Sequence, residues 1–212
     1  MAVITTIREN GNDVNTCQER VVESMSRWEP NAKDRLEQAA LDLYRERGFE
    51  QTTVAEIAER AGLTERTFFR YFADKREVLF GGQTILQEIS VSAIANAPAS
   101  AAPIDAAVAA LESVAPLFRE RYELARQRQS VIAANPELQE RELLKRASLV
   151  STMADALRRR SVTDPAASLA AEIGVISFYT AFARWVSEPD EQDLSQLIGE
   201  SLDQLKVIIV GE

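Results

Sequence analysis

Between residues 52 and 80 the chain reads TTVAEIAERAGLTERTFFRYFADKREVLF, and its start and stop signals leave room for little but two short, steeply crossed helices. Thr53 followed three residues later by Glu56 is a capping box: the hydroxyl takes one orphan backbone N–H and the carboxylate takes another. The helix so opened runs to Ala61, where Gly62 supplies a residue that tolerates a left-handed backbone. Thr64 at once caps a third helix over residues 65–72. Helices that cross steeply need a small residue where they touch, and Ala58, four residues before Gly62, supplies it. Val54, Ile57, Leu63 and Phe68 form the apolar seam, and Phe72 closes it against the preceding helix.

That preceding helix is expected over 32–47, where Leu36, Ala39, Ala40, Leu43 and Tyr44 recur at helical spacing, Asn31 caps the start and Gly48 marks the end. Asp74 with Glu77 reads as a second capping box, opening a fourth helix toward Gly81. The head therefore spans 31–80. Residues 1–30 lack sustained periodicity and end at Pro30; they read as a disordered tail with a short helix over 21–28.

Gly81-Gly82 is a local break, helix resumes through Ile94, and residues 97–103 form a small-residue linker bounded by proline. Further helices are expected over 104–117, 119–134, 136–160 and 166–187, two of them opened by Asn135-Pro136 and Asp164-Pro165. The last begins at Asp190 and ends near Val210. With 8 glycines and 7 prolines in 212 residues and no strand-and-turn pattern, the fold class is all-α. It comprises an N-terminal three-helix helix-turn-helix head and a C-terminal helical bundle over 81–212.

The chain has no histidine and one cysteine, Cys17, so it carries no internal disulfide and no Ser-His-Asp or Cys-His nucleophile. The usual zinc sites also need histidine or several cysteines. No catalytic residue, metal site or cofactor is expected. The N-terminus lacks a signal peptide, and the longest uncharged apolar run of the second half, 173–183, is too short for a bilayer. A soluble cytoplasmic protein without membrane contact is expected.

The net charge of −9 argues against coating nucleic acid by bulk positive charge. Locally the balance reverses: residues 60–76 hold five basic side chains (Arg60, Arg66, Arg70, Lys75, Arg76) against two acidic ones (Glu65, Asp74). That is the footprint of a DNA-binding segment. The first residues of a recognition helix reach base edges, which nominates Glu65, Arg66, Thr67 and Arg70 as base contacts, with Arg66 suited to guanine O6 and N7. Thr53, Thr64, Tyr71 and Lys75 flank them as phosphate contacts.

These residues resemble the TetR family of one-component regulators, on Thr53, Ala58, Ala61-Gly62-Leu63-Thr64, and Thr67-Phe68-Phe69-Arg70-Tyr71-Phe72 followed by Lys75. Where that family often has a tyrosine that touches phosphate, this chain has Phe69, which can only pack. The resemblance implies a dimer formed by the last two long helices, here nominating Leu194, Leu197, Leu202 and Leu205 as interface residues. Two heads about 34–36 Å apart would read a palindrome on double-stranded operator DNA.

In the bundle, residues 173–183 are uncharged on every face and are expected to be buried on nearly all sides. Such a body usually encloses a ligand cavity; Leu111, Phe118, Tyr122, Ile132, Leu149, Met153, Phe178, Phe182 and Trp185 are candidate lining residues. The pattern Arg126-x-Arg128-x-x-x-Ile132, then Asn135-Pro136-x-Leu138 and Ala183-Arg184-Trp185, is similar to the TetR subgroup around the mycofactocin regulator. That similarity implies acyl-coenzyme A thioesters as effectors, with Arg126, Arg128 or Arg146 toward the phosphates. The expected mechanism is release of DNA on ligand binding, through the helices from Lys75 to Asn96. The alternative is an architectural DNA protein without ligand control, which would have a basic body and no cavity.

Overall fold

The computed structural model describes residues 31–187 and 192–211. The expected tail, its short helix, Cys17 and Asp190 lie outside the described residues. Ten α-helices and one 3-10 turn make up the described chain, without a strand. They are α1 (Ala32–Arg47), α2 (Val54–Arg60), α3 (Glu65–Tyr71), the 3-10 turn Glu77–Phe80, α4 (Gln83–Asn96), α5 (Pro103–Glu112), α6 (Ala115–Arg119), α7 (Tyr122–Ala133), α8 (Pro136–Arg159), α9 (Asp164–Ser187) and α10 (Leu194–Val210).

Helix α1 is the spine of the head. Asn31 caps it by accepting from the Asp34 N–H, and Gly48 ends it at φ +89°. Its buried face is broad, taking in Leu36, Glu37, Ala39, Ala40, Leu41, Leu43 and Tyr44, because α2 and the 3-10 turn cover one side and α7 covers another. The head's apolar cluster therefore continues into the body, through Val131, Ile132 and Leu138.

Three local expectations change in the fold. Asp74 does accept from the backbone N–H groups of Arg76 and Glu77, but Glu77 turns away to Arg141 and Lys145 on α8. The box is half-built, and the segment tightens into a 3-10 turn instead of a fourth α-helix. The helix expected over 104–117 breaks at Ser113-Val114, because Pro116 cannot donate a backbone N–H to continue it. The last helix starts at Leu194, where Asp193 accepts from the Ser195 N–H.

Helix α9 is the centre of the body, packed by α5, α7, α8 and α10. Small residues permit the close approach of α5: a Cβ on Gly174 would stand 3.1 Å from the Ala107 Cβ. α9 is not buried on all sides, however, since Leu169, Ile176, Thr180 and Ala183 form an exposed stripe along it. By length and composition Glu77–Asn96 and Asp164–Ser187 could each cross a bilayer, although the uncharged run 173–183 by itself could not. α9 passes that test as the core helix of the bundle, with Phe178, Phe182, Trp185 and its alanines buried among neighbouring helices.

Candidate nucleic-acid interface and cavity

The crossing of α2 and α3 is built as its residues require. Gly62 adopts φ +65°, Leu63 N donates to Ala58 O at 2.8 Å, and Ala58 is buried at the contact. Arg35 of α1 donates to the Ala61 carbonyl, so the turn is held from outside as well. Thr64 accepts from Thr67 N at 3.2 Å, and Phe68, fully buried, anchors α3. Glu65, Arg66, Phe69, Arg70 and Tyr71 are then left exposed on the opposite face.

Among the described residues Glu65 and Arg66 have no hydrogen-bond or ion-pair partner, so neither is committed within the protein. Thr67 is half-buried, its hydroxyl 3.1 Å from that of Thr64. Arg70 donates to the Tyr71 hydroxyl at 3.1 Å with its guanidinium 4.9 Å from the ring centroid, which presents the two as one unit. At α2, Thr53 and Glu56 complete the capping box in both directions. Hydrogen bonds from Thr53, its backbone N–H first, hold the Glu56 carboxyl below the usual carboxylate range. An anion approaching Thr53 therefore meets a carboxylate already seated there.

The remaining cations are mostly spent. Lys75 donates to the carbonyls of Phe49, Glu50 and Thr52 at 2.9, 3.2 and 3.1 Å, which uses all three ammonium protons. It is placed as a clamp on the α1–α2 loop and not as an outward phosphate ligand. Arg60 pairs bidentately with Glu46, and Arg76 with Asp74 and Glu137. The positive face counted along the sequence thus contracts to Arg66 and Arg70, because Glu46 and Glu137 reach Arg60 and Arg76 from other elements and Lys75 is turned to backbone carbonyls.

A cavity of about 280 Å³ lies where the head meets the body. Glu37 and Leu41 of α1, the turn residues Val78–Phe80, and Gly81-Gly82 form its head side; Phe118, Leu124, Arg128, Phe178, Tyr179 and Phe182 form its body side. Of the expected lining residues, Phe118, Arg128, Phe178 and Phe182 are present. Leu111, Ile132, Leu149 and Met153 are fully buried core residues away from it. Trp185 and Tyr122 lie one layer behind, with Tyr122 edge-on to Trp185 at 4.8 Å and Trp185 5.8 Å from Phe182. Arg126 is exposed and paired with Glu123. Arg128 reaches across to the head, donating to Leu79 O at 2.5 Å, pairing with Glu142 and lying over the Phe80 ring. Arg146 lies over the Tyr179 ring at 4.0 Å; burial pushes that phenol up to about 12.

Glu37, Arg121 and Tyr179 were missed from the sequence, yet Glu37 carried a signal. It is the one carboxylate inside the apolar stripe Leu36, Ala40, Leu41, Tyr44, and it is 6% exposed. Of the four expected interface leucines, Leu194, Leu197 and Leu202 are buried in their own protomer and cannot also meet a partner; Leu205 is half-buried. The apolar side chains left over on these helices are Leu169 and Ile176 of α9 and Val207–Val210 at the end of α10.

Residues 37–80 match the family profile described as bacterial regulatory proteins, tetR family, and residues 101–208 match that of the MftR C-terminal domain. The HTH-type transcriptional regulator TcmR of Streptomyces glaucescens is 38% identical over 82 residues, 39% of this chain and 36% of TcmR, so the match spans about a third of that relative. Among solved structures, FadR from Bacillus subtilis in complex with stearoyl-CoA superposes with a TM-score of 0.57 at 20% identity, covering 81% of this chain and 96% of FadR. The triclosan complex of SmeT, a repressor from Stenotrophomonas maltophilia, gives 0.58 at 20% identity, covering 82% and 88%. At these identities the likeness is one of fold.

Proposed function

The chain belongs to the TetR family of bacterial transcriptional regulators, with a C-terminal half of the MftR type, and from that premise we propose that it is a cytoplasmic repressor released from DNA by a small apolar effector. It binds a palindromic operator as a dimer, with α3 in the major groove and Arg66 and Arg70 toward base edges, Thr67 and Glu65 beside them. Thr64 and Tyr71 flank the groove as phosphate contacts, while Thr53 is closed by its box with Glu56 and Lys75 holds the loop that carries it.

The observation that carries this reading is the position of the cavity. Its wall is part head and part body, so anything that fills it bears on α1 and on the start of α4 together. A ligand shifts the head only by binding one arrangement better than the other, and a shared wall provides that difference. The cavity's size suits an acyl chain with its carrier outside the mouth. An acyl-coenzyme A effector is supported by the MftR-type C-terminal half and by the stearoyl-CoA bound in the FadR of like fold. The architectural alternative requires a basic body without a cavity, and the net charge of −9 and the cavity both weigh against it.

The dimer reading rests on the exposed stripe of α9 and the exposed end of α10, which a second copy would cover. Native mass spectrometry of the purified protein, with and without stearoyl-CoA, tests both halves of the proposal. A dimer that takes up one acyl ligand per protomer and loses an operator fragment on doing so is the expected result. A monomer, or a dimer whose operator binding ignores every acyl-coenzyme A offered, overturns it.

A further inference from the structure

The floor of the cavity is apolar, but one corner of it is an ion pair between head and body. Arg121, at the start of α7, donates to the Glu37 carboxylate of α1 at 2.6 Å, and both line the cavity. The two partners are unlike. The Glu37 side chain is 9% exposed and the Arg121 side chain 48%. Glu37 is wedged in place: its Oε1 would stand 3.0 Å from a Cβ on Gly81, and Lys33, which donates to Gly81 O, lies 4.0 Å from it. Among the described residues Arg121 is held otherwise by Asp34, at 4.0 Å. The pair thus ties α1 to α7 directly beside the Gly81-Gly82 junction, where head passes into α4.

We propose that the Glu37–Arg121 pair is a latch in the cavity wall, opened by an amphiphilic effector whose anionic head group takes Arg121 from Glu37. This rests on the reading that the cavity receives an acyl effector, and it adds where the anionic end of that effector acts and which contact it breaks. Arg121 is the partner a ligand can reach, because its side chain is half exposed while that of Glu37 is enclosed. Arg128 lines the same cavity but is already held by Leu79 O and Glu142, which leaves Arg121 as the cation an anion takes. Glu120 lines the cavity too and is exposed, so a cation has a carboxylate of its own there, but one whose pairing leaves the Glu37–Arg121 contact closed.

An anion on Arg121 acts twice on the head. It removes the nearer partner of Glu37 and leaves that buried carboxylate with Lys33 at 4.0 Å, and weakening the pairing of a buried charge is destabilising where it stands. It also sets a like charge beside that carboxylate. Both effects favour a state in which α1 has moved off α7, so such a ligand binds that state better and shifts the population toward it. A neutral ligand of the same shape fills the apolar space but leaves the latch closed.

The test compares three probes of one chain length on the full protein, all below their micellar concentration: decanoate, decan-1-ol and decyltrimethylammonium. Binding is read by calorimetry, and movement of α1 by hydrogen exchange over residues 32–47. The latch predicts that decanoate binds at least tenfold tighter than decanol and alone speeds exchange in α1. Glu37→Gln should tighten decanoate further and leave decanol unchanged; Arg121→Gln should bring decanoate down to decanol. If Glu37→Gln does not fold, Arg121→Gln tests the same pair from its exposed side. Equal affinity for decanoate and decanol, or preference for the cation, overturns the latch while leaving an apolar cavity standing. Binding of none of the three overturns the latch and the effector reading together.

Discussion

The ammonium of Lys75 lies 4.4 Å from the centroid of the Phe49 ring, at the point where it also gathers the carbonyls of Phe49, Glu50 and Thr52. A cation between a ring face and three carbonyls fixes the loop that leads into Thr53, and so fixes where α2 begins. Replacing it by Lys75→Met should cost the head about 2 kcal/mol, from the lost charged hydrogen bonds and ring contact. Operator affinity should fall, yet the slope of log K against log salt should stay the same. A slope smaller by about 0.9 for each lysine lost would instead mark a phosphate contact.

Arg66 stands exposed and without a partner among the described residues, at the N-terminal end of α3. Arg66→Ala should therefore leave the melting temperature unchanged and remove about 1–3 kcal/mol of preference for the operator over a scrambled duplex. Competition titrations with the two duplexes read this directly. Equal loss on both would reassign Arg66 to the phosphates.

Gly62 holds φ +65°, and a Cβ there would stand 2.8 Å from Arg35 Nη2. Gly62→Ala strains the backbone and displaces the guanidinium that holds the Ala61 carbonyl. A loss of about 1–2 kcal/mol is expected in chemical unfolding. A neutral result would mean that the turn reaches α3 by another backbone path.

Asp74 supplies a pH dependence. Burial would raise its carboxyl, but hydrogen bonds from Arg76 and from the backbone of Glu77 and Arg76 outweigh burial and hold it below the ordinary value of 3.8. A depressed folded value stabilises fully above that ordinary value and is lost as pH falls through the folded one. Asp74→Asn keeps the oxygen that accepts from the backbone and loses only the charge paired with Arg76, so it should cost less than about 1 kcal/mol at neutral pH, as loss of a largely exposed ion pair does. The stabilities of the variant and the parent should converge as pH falls through the depressed folded value. Urea unfolding across that range measures the difference; a constant gap down to pH 2 would contradict it.

Ile176 is 53% exposed on α9, whereas Leu197 is 2% exposed within its own protomer. Ile176→Glu should split the proposed dimer at micromolar concentration in sedimentation while each protomer stays folded. Leu197→Ala should do the reverse, costing about 2–5 kcal/mol of fold stability without selective dissociation. A dimer indifferent to Ile176→Glu would place the interface elsewhere.

The head was legible because its devices are local. A threonine with a glutamate three residues on, a small residue at a crossing and a glycine at a turn act within one or two turns of backbone. Each was met where expected, from the Thr53–Glu56 box to the left-handed Gly62. Side-chain destinations were not legible in the same way. Lys75 reaches back 23 to 26 residues for its carbonyls, Glu77 reaches 64 and 68 residues to Arg141 and Lys145, and Glu37 reaches 84 residues to Arg121. Periodicity reports that a helix has an apolar face without reporting which neighbour that face meets. This is why Leu194, Leu197 and Leu202 read equally well as core and as interface.

The sequence by itself therefore determined an all-α chain with a helix-turn-helix near its start, because capping, turn and crossing are short-range constraints that few residues can satisfy. Only the tertiary structure decided which charges remain available and where the cavity lies. Pairing and enclosure depend on distances between helices remote in the chain. By that route the five cations of residues 60–76 reduce to an outward pair, Arg66 and Arg70, and a glutamate on the first helix becomes part of the cavity wall.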